Sequence, residues 1–250
     1  MSQRATSSSF SAPGREIGLY AAARYLPLGD CALLIEFGNT INPTANRKVI
    51  SLDQAIARAG IKGIEETVPT YRSLLVRYDP TKIAYGQLIA RVKDLEDTME
   101  KSSPEAIGRV VTIPVVYGGE YGPDLGFVAQ CHGLAEEQVV KLHSGQKYRV
   151  YMLGFVAGFP YMGEVADEIA TPRLETPRVK VPAGSVGIAE KQTGIYSCEA
   201  PGGWRIIGRT PLRLFNPHQE PPTLLEPGDI VKFEPISENV FKASIEEQTR

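Results

Sequence analysis

The sequence predicts an α+β protein in two domains, a ferredoxin-like α+β unit followed by a β-barrel. Three observations carry this. Between Tyr25 and about Glu100 the pattern runs strand, helix, strand, strand, helix, which is most of the split βαβ motif. Lys101-Ser102-Ser103-Pro104-Glu105 is polar and proline-bearing, as linkers are. From Lys147 onward short β-rich runs are divided by Gly and Pro without long helical periodicity. That pattern predicts a closed or nearly closed barrel, because closure removes exposed strand edges. The predicted domains are a disordered tail over 1–16, the α+β unit over 17–104 and the barrel over 105–250.

The Ser-rich opening, Ser7-Ser8-Ser9 included, has no apolar h-region and predicts a disordered tail rather than a secretory signal. The apolar run from Cys31 to Phe37 lies between the turn signals Gly29-Asp30 and Gly38-Asn39, so it reads as a strand. Asn42 can cap a helix that Pro43 opens, Val49, Leu52, Ile56 and Ala59 recur at helical spacing, and Gly60 ends it. Ile64 to Val68 and Ser73 to Tyr78 predict a hairpin around Pro69-Thr70-Tyr71-Arg72. Tyr85, Leu88, Ile89, Val92 and Leu95 mark a second amphipathic helix. A final strand for this sheet can come from upstream or downstream. Beyond the linker, Val110 to Val115 is a buried-type strand, Pro123 to Gln130 and Glu136 to Leu142 are short helices, and the run ending at Phe233 is a terminal strand after a turn.

Charge and cysteine content narrow the function classes. A net charge of −2 gives no basic face for nucleic acid or an anionic membrane. No apolar run reaches the roughly 20 residues that cross a bilayer. Cys31, Cys131 and Cys198 share no ligand spacing and read as reduced thiols of a cytoplasmic protein. His132, His143 and His218 are scattered, so no metal ligand set is recognised. There is no GxSxG elbow, phosphate loop or HExxH.

The densest chemistry lies between Gly154 and Pro211, where glycines and prolines shape loops that carry arginines and aromatics. Arg173 and Arg178 flank a repeated Thr-Pro-Arg; they either grip an anion or pair with Glu164, Asp167, Glu168 or Glu175 at the surface. Arg209, in Gly208-Arg209-Thr210-Pro211, is the third candidate anion ligand. Gln192 and Tyr196 offer neutral hydrogen-bond groups, or belong to a solvated hairpin. Trp204, the single tryptophan, reads as core or as the rim of a groove. His143 ends a predicted helix and is either a favourable partner of the helix dipole or a proton carrier at the groove's mouth. Asp124 and Asp229, in Gly-Pro-Asp and Pro-Gly-Asp, read as turn residues.

These blocks give the chain a resemblance to a known family. Leu28-Gly29-Asp30-Cys31-Ala32-Leu33-Leu34, Val68 to Val76, Ile113-Pro114-Val115, Tyr117-Gly118-Gly119, the double Pro-Arg, Pro201-Gly202-Gly203-Trp204 and Gly208-Arg209-Thr210-Pro211 resemble allophanate hydrolase subunit 1 domains. That family includes the B subunit of bacterial 5-oxoprolinase and the Kip-type inhibitor of a sporulation histidine kinase. The resemblance implies a cyclophilin-like barrel after the ferredoxin-like domain. It implies a heteromeric, ATP-using hydrolase that opens 5-oxoproline to glutamate, in which this chain is inactive alone. The implied partners are an allophanate hydrolase subunit 2-type protein (the C subunit of 5-oxoprolinase) and a third subunit, and the ligand a small carboxylate or amide. The groove residues that match are His143, Phe159, Arg173, Arg178, Gln192, Tyr196, Trp204 and Arg209. In this reading His143, Arg178 and Arg209 are catalytic and the others bind substrate. Two alternatives belong to the same resemblance: a histidine-kinase inhibitor, and a carboxyltransferase or allophanate-pathway subunit of a urea carboxylase system. The second needs biotin from another chain, since no methionine here precedes a lysine. The family's Gly-Phe-x-Pro-Gly-Phe has Ala157 at the proline position, which predicts a more mobile loop.

Overall fold

The computed structural model describes residues 18–101 and 108–248. The predicted tail over 1–16 and the predicted junction at 104/105 lie outside the described residues. The chain folds into two compact units, one on each side of residues 102–107.

The first unit comprises β1 (Leu19–Pro27), β2 (Ala32–Gly38), α1 (Pro43–Ala59), β3 (Ile64–Pro69), β4 (Ser73–Tyr78) and α2 (Tyr85–Lys101). α1 begins where the sequence dictates: Asn42 Oδ1 accepts the amides of Thr44 at 2.7 Å and Ala45 at 3.0 Å. It ends at Gly60, whose left-handed φ of 55° lets its N–H return to Ile56 O. The sheet order is β1-β2-β4-β3, with every neighbouring pair antiparallel. The crossover from β2 through α1 therefore returns on the far side of β4. The open position beside β2 is filled from upstream, by β1. Leu33, Ile35, Leu74 and Val76 alternate inward on the sheet to meet Val49, Leu52, Ile56, Leu88 and Val92 of the two helices.

The second unit comprises β5 (Val110–Tyr117), α3 (Leu125–His132), α4 (Glu136–Ser144), β6 (Lys147–Leu153), β7 (Pro160–Gly163), a 3₁₀ turn (Asp167–Ile169), β8 (Arg178–Val181), β9 (Ser185–Ala189), β10 (Gln192–Ile195), β11 (Ala200–Gly202), β12 (Arg205–Arg209), β13 (Ile230–Pro235) and α5 (Glu238–Gln248). Seven strands close into a barrel in the order β10-β7-β6-β13-β5-β12-β9. β13 runs parallel to β5 and antiparallel to β6. Inward positions such as Ile113, Val115, Val150, Met162, Val186, Ile188, Ile195, Ile207, Val231 and Phe233 fill it, and Leu125, Val128 and Val139 of α3 and α4 join the same core. β8 and β11 pair separately as a two-stranded arm.

α5 corrects the expectation that strands continue to the end of the chain. Its apolar residues are few, and Phe241 is the one that is buried, with its ring centroid 4.7 Å from that of Tyr121. Val240 and Ile245 stay exposed, so no periodic stripe marks the helix in sequence. Among the described residues no helix is long and apolar enough to cross a membrane.

Candidate functional site

The aromatic and cationic residues converge on the outer wall of the barrel, over β7, β9, β10 and β12. Strand alternation sends Met162, Ile188, Thr193 and Ile195 inward and leaves Tyr161, Gly187 and Gly194 outward. Register places the last three side by side: Gly187 pairs with Gly194, and Gly194 with Tyr161. The two glycines make a patch of bare backbone against which Phe159 and Trp204 pack. A Cβ at Gly194 would come 2.9 Å from the Phe159 ring, and one at Gly187 would come 3.1 Å from Trp204 Cβ. A third glycine, Gly202, seats Tyr196, whose hydroxyl a Cβ there would overlap.

Phe159 is the hub of this nest. Its centroid lies 5.2 Å from Tyr196, 5.4 Å from Trp204 and 4.9 Å from Tyr161, the first two edge-to-face. Phe155 stands at the rim, 5.7 Å from Phe159 and 58% exposed. Its backbone is strained: Val156 N returns to Gly154 O at 2.8 Å around a Phe155 φ of 65°, a γ-turn of the rare positive-φ form. Gly154 N donates to Phe159 O, and Ser197 Oγ holds Ala157 O at 2.6 Å, so the loop is tied at three points. A recess of about 370 Å³ is lined by Leu153 to Gly158.

Two guanidiniums border the nest. Arg173 lies 5.9 Å from the Trp204 ring centroid and makes no ion pair within 4 Å among the described residues, which leaves its charge available to a ligand. Arg178 is held: Nη2 meets Asp124 Oδ1 at 2.8 Å and Nη1 reaches Trp204 O at 3.4 Å. Neither pairs with Glu164, Asp167, Glu168 or Glu175, the surface alternatives read from sequence. Burial raises the Tyr161 phenol, with Arg173 working the other way. Burial also raises the Tyr196 phenol, against the Trp204 backbone bonded to its hydroxyl. Both rings therefore present protonated phenols at neutral pH.

Gln192 sits one row along the same outer face, paired with side-chain-free Gly163 and diagonal to Tyr161, a separation of about 7–8 Å that long side chains span. Arg209 sits elsewhere, at the end of β12 remote from Trp204, about 13 Å along the strand from Arg205; its Nε donates to Ala183 O at 2.8 Å. His143 corrects the sequence expectation most. It is fully buried inside the barrel, stacked 4.5 Å from Phe233, rather than at a groove's mouth. Burial pushes it down to about 3, so the ring is neutral.

Sequence reasoning missed three contributors. Phe155 and Tyr161 lie within the glycine-rich block but carry no polar signal there. Asp124 reads as a turn residue, yet one carboxylate oxygen holds Arg178 and the other accepts Ile206 N at 2.6 Å. It thereby locks the arginine to the strand that follows Trp204. Asp229 fits its turn reading: it accepts Glu226 N and receives Arg109.

A larger recess, about 460 Å³, lies in the first unit between the end of α1 and β3. Its polar lining is Glu65, Glu66 and Thr67, and both carboxylates meet Arg77, so it offers an anion nothing. Among the described residues no group of three or more His, Cys, Asp or Glu is arranged to hold a metal ion.

Comparison with known proteins places the chain, rather than any one of its residues, in a family. Residues 23–225 match the carboxyltransferase domain, subdomain C and D, which spans most of both units. The chain belongs to this family. It is 44% identical over 230 residues to the 5-oxoprolinase B subunit of Bacillus subtilis (strain 168), covering 88% of this chain and 95% of that one. It is 40% identical to the 5-oxoprolinase B subunit of Escherichia coli O157:H7, covering 87% and 98%. Among solved structures, the protein TTHA0988 superposes with a TM-score of 0.74 at 40% identity over 82% of this chain. The match spans only 40% of TTHA0988.

Proposed function

We propose that this chain is the B subunit of a 5-oxoprolinase complex and that the outer-wall nest binds the lactam substrate. The observation that carries the site assignment is the pairing of an uncompensated guanidinium, Arg173, with protonated phenols over a dry aromatic floor. A small ligand with one carboxylate and one amide matches that set. Arg173 takes the carboxylate, where a fork of donors suits two oxygens. Tyr161 and Gln192 supply neutral hydrogen bonds to the amide, and Phe159, Trp204 and the buried Tyr196 form the wall that excludes water. Arg178, fixed by Asp124, adds positive potential without having to reorganise. Arg209, at the far end of β12 and bonded to Ala183 O, stands outside this set. The similarity to B subunits at 44% and 40% identity supports the activity itself.

ATP belongs to this reaction as the source of activation, since an unstrained amide does not open unaided. The residues of this nest do not fit a triphosphate: they form no glycine-rich cradle of backbone amides, and Arg178 and Arg209 already hold protein oxygens. We assign nucleotide contacts to the partner subunits, a subunit 2-type protein and a third chain, in a cytoplasmic assembly. The first unit we assign to the ferredoxin-like class with its last strand supplied from upstream, and the barrel to the cyclophilin-like class.

Kinetics of the reconstituted enzyme test the site. Arg173→Ala should raise KM for 5-oxoproline at least about tenfold, the loss of one charged hydrogen-bonding group of about 1.5–3 kcal/mol, with the melting temperature unchanged. Unaltered KM in Arg173→Ala and in Trp204→Phe together would place the substrate elsewhere.

A further inference from the structure

One chain of polar groups runs through the otherwise apolar barrel core. Tyr117 Oη lies 2.8 Å from His143 Nδ1, His143 Nε2 lies 2.9 Å from Thr193 Oγ1, and the Thr193 hydroxyl donates to Gly187 O at 3.0 Å. The direction follows from proton counting. Threonine has one hydroxyl proton, and it goes to Gly187. Thr193 therefore accepts from His143, so Nε2 carries the imidazole proton and Nδ1 accepts from Tyr117. Burial keeps Tyr117 and His143 neutral, raising the phenol and lowering the imidazole. The ring is clamped besides by stacking on Phe233, and its own carbonyl accepts from Tyr148.

The chain ends at the backbone that underlies Trp204. Ladder pairing is irregular there: β12 slips register against β9 between Ile206 and Gly208. Ile206 N turns instead to Asp124 Oδ2, and Ile207 O to Gly118 N. Gly187 keeps its register with Gly194 of β10, and the Thr193 hydroxyl adds a side-chain donor to its carbonyl beside the irregular stretch. A Cβ at Gly187 would come 3.1 Å from Trp204 Cβ, so the tryptophan lies directly on this backbone.

We propose that Tyr117, His143 and Thr193 are positioning residues that fix the Gly187 backbone and thereby the seat of Trp204 in the outer-wall nest. The inference rests on the nest being the substrate site only for its catalytic consequence. In this arrangement His143 acts from inside the barrel on a surface it never touches, and it neither shuttles a proton nor meets substrate.

The single tryptophan makes the test direct, because fluorescence reports on Trp204 alone. In the full chain, Thr193→Val keeps the side-chain shape but removes the hydroxyl, while Thr193→Ser keeps the hydroxyl. Thr193→Val should shift Trp204 emission to the red and at least double its acrylamide quenching constant, and Thr193→Ser should match the parent. Should Thr193→Val not fold, Tyr117→Phe gives the second reading. It leaves His143 Nδ1 without its donor while Thr193 still holds the Nε2 proton, so ¹⁵N NMR should show the Nδ1 resonance moved and Nε2–H retained, together with a smaller shift of emission. Parent-like emission and quenching in a folded Thr193→Val, or in Tyr117→Phe with a moved Nδ1 resonance, overturns the proposal. Kinetics of the reconstituted complex separate the two readings. Shifted emission with a several-fold higher KM supports both, whereas shifted emission with unchanged KM supports the positioning role and overturns the nest as the substrate site.

Discussion

Asp124→Ala is the most demanding perturbation of the second unit. Two interactions end together: the 2.8 Å bond to Arg178 Nη2 and the 2.6 Å bond from the buried Ile206 amide. A hydrogen bond to a charged group contributes about 1.5–3 kcal/mol, and an orphaned buried amide costs about 1–3 kcal/mol. The Arg178 side chain is 31% exposed, so water recovers part of the first contribution. The net expectation is about 3 kcal/mol, a fall in Tm of about 6–12 °C for a chain of this size. Arg178→Ala should cost somewhat less, about 2 kcal/mol: it strands a carboxylate whose side chain is 9% exposed, but that carboxylate keeps its bond from Ile206 N. The sequence offers Arg178 an anion or a nearby surface carboxylate, and not Asp124. Urea melts of Asp124→Ala, Arg178→Ala and the double variant form a cycle, and the coupling should reach about 1–3 kcal/mol. Additivity within about 0.5 kcal/mol would refute the lock between Arg178 and the Trp204 strand.

Further predictions concern the core histidine, the strained loop and the glycine seats. His143 stays neutral when folded, near 3 against an ordinary 6.5, so the unfolded chain binds more protons below pH 6.5 and stability falls with pH there by up to about 1.4 kcal/mol per unit. Denaturant melts from pH 7 to pH 4 should show a slope that His143→Gln lacks; equal slopes would mean His143 is not buried neutral. Phe155→Gly should hold or raise Tm, since glycine relieves a positive-φ backbone costing about 1–2 kcal/mol, while lowering turnover of the complex through loss of the rim ring; a lower Tm would show that the exposed ring packs. Gly202→Ala should displace Tyr196 and destabilise the nest by about 1–3 kcal/mol, visible as a changed Tyr–Trp near-UV circular dichroism band, and an unchanged band would argue that the ring is not seated there.

Local rules carried the regular elements. Asn42, Pro43 and Gly60 bracket α1 because capping needs only residues within one turn of the helix end. β1 and α5 have no clear signature in sequence: β1 is alanine-rich without alternation or β-branched residues, α5 has few apolar residues, and their places are set by long-range pairing, β1 along β2 and Phe241 against Tyr121. In the site, Phe159, Arg173, Arg178, Tyr196 and Trp204 meet because a run of glycines and prolines brings neighbouring loops onto one wall, and that composition is visible in sequence. The partner of Arg178 was not visible, since Asp124 lies 54 positions upstream and has a local turn reading of its own. His143 shows the converse: its place near a helix end suggested dipole or proton chemistry, whereas burial against Phe233 and Tyr148 makes it a neutral bridge.

The central claim is an obligatory role in opening 5-oxoproline, and ATP-dependent glutamate release from reconstituted subunits measures it most directly. The account predicts release only when this chain is present with its partner subunits, and none from this chain alone or from the partners without it. Full release in its absence, or none from a correctly assembled complex that contains it, would contradict the assignment.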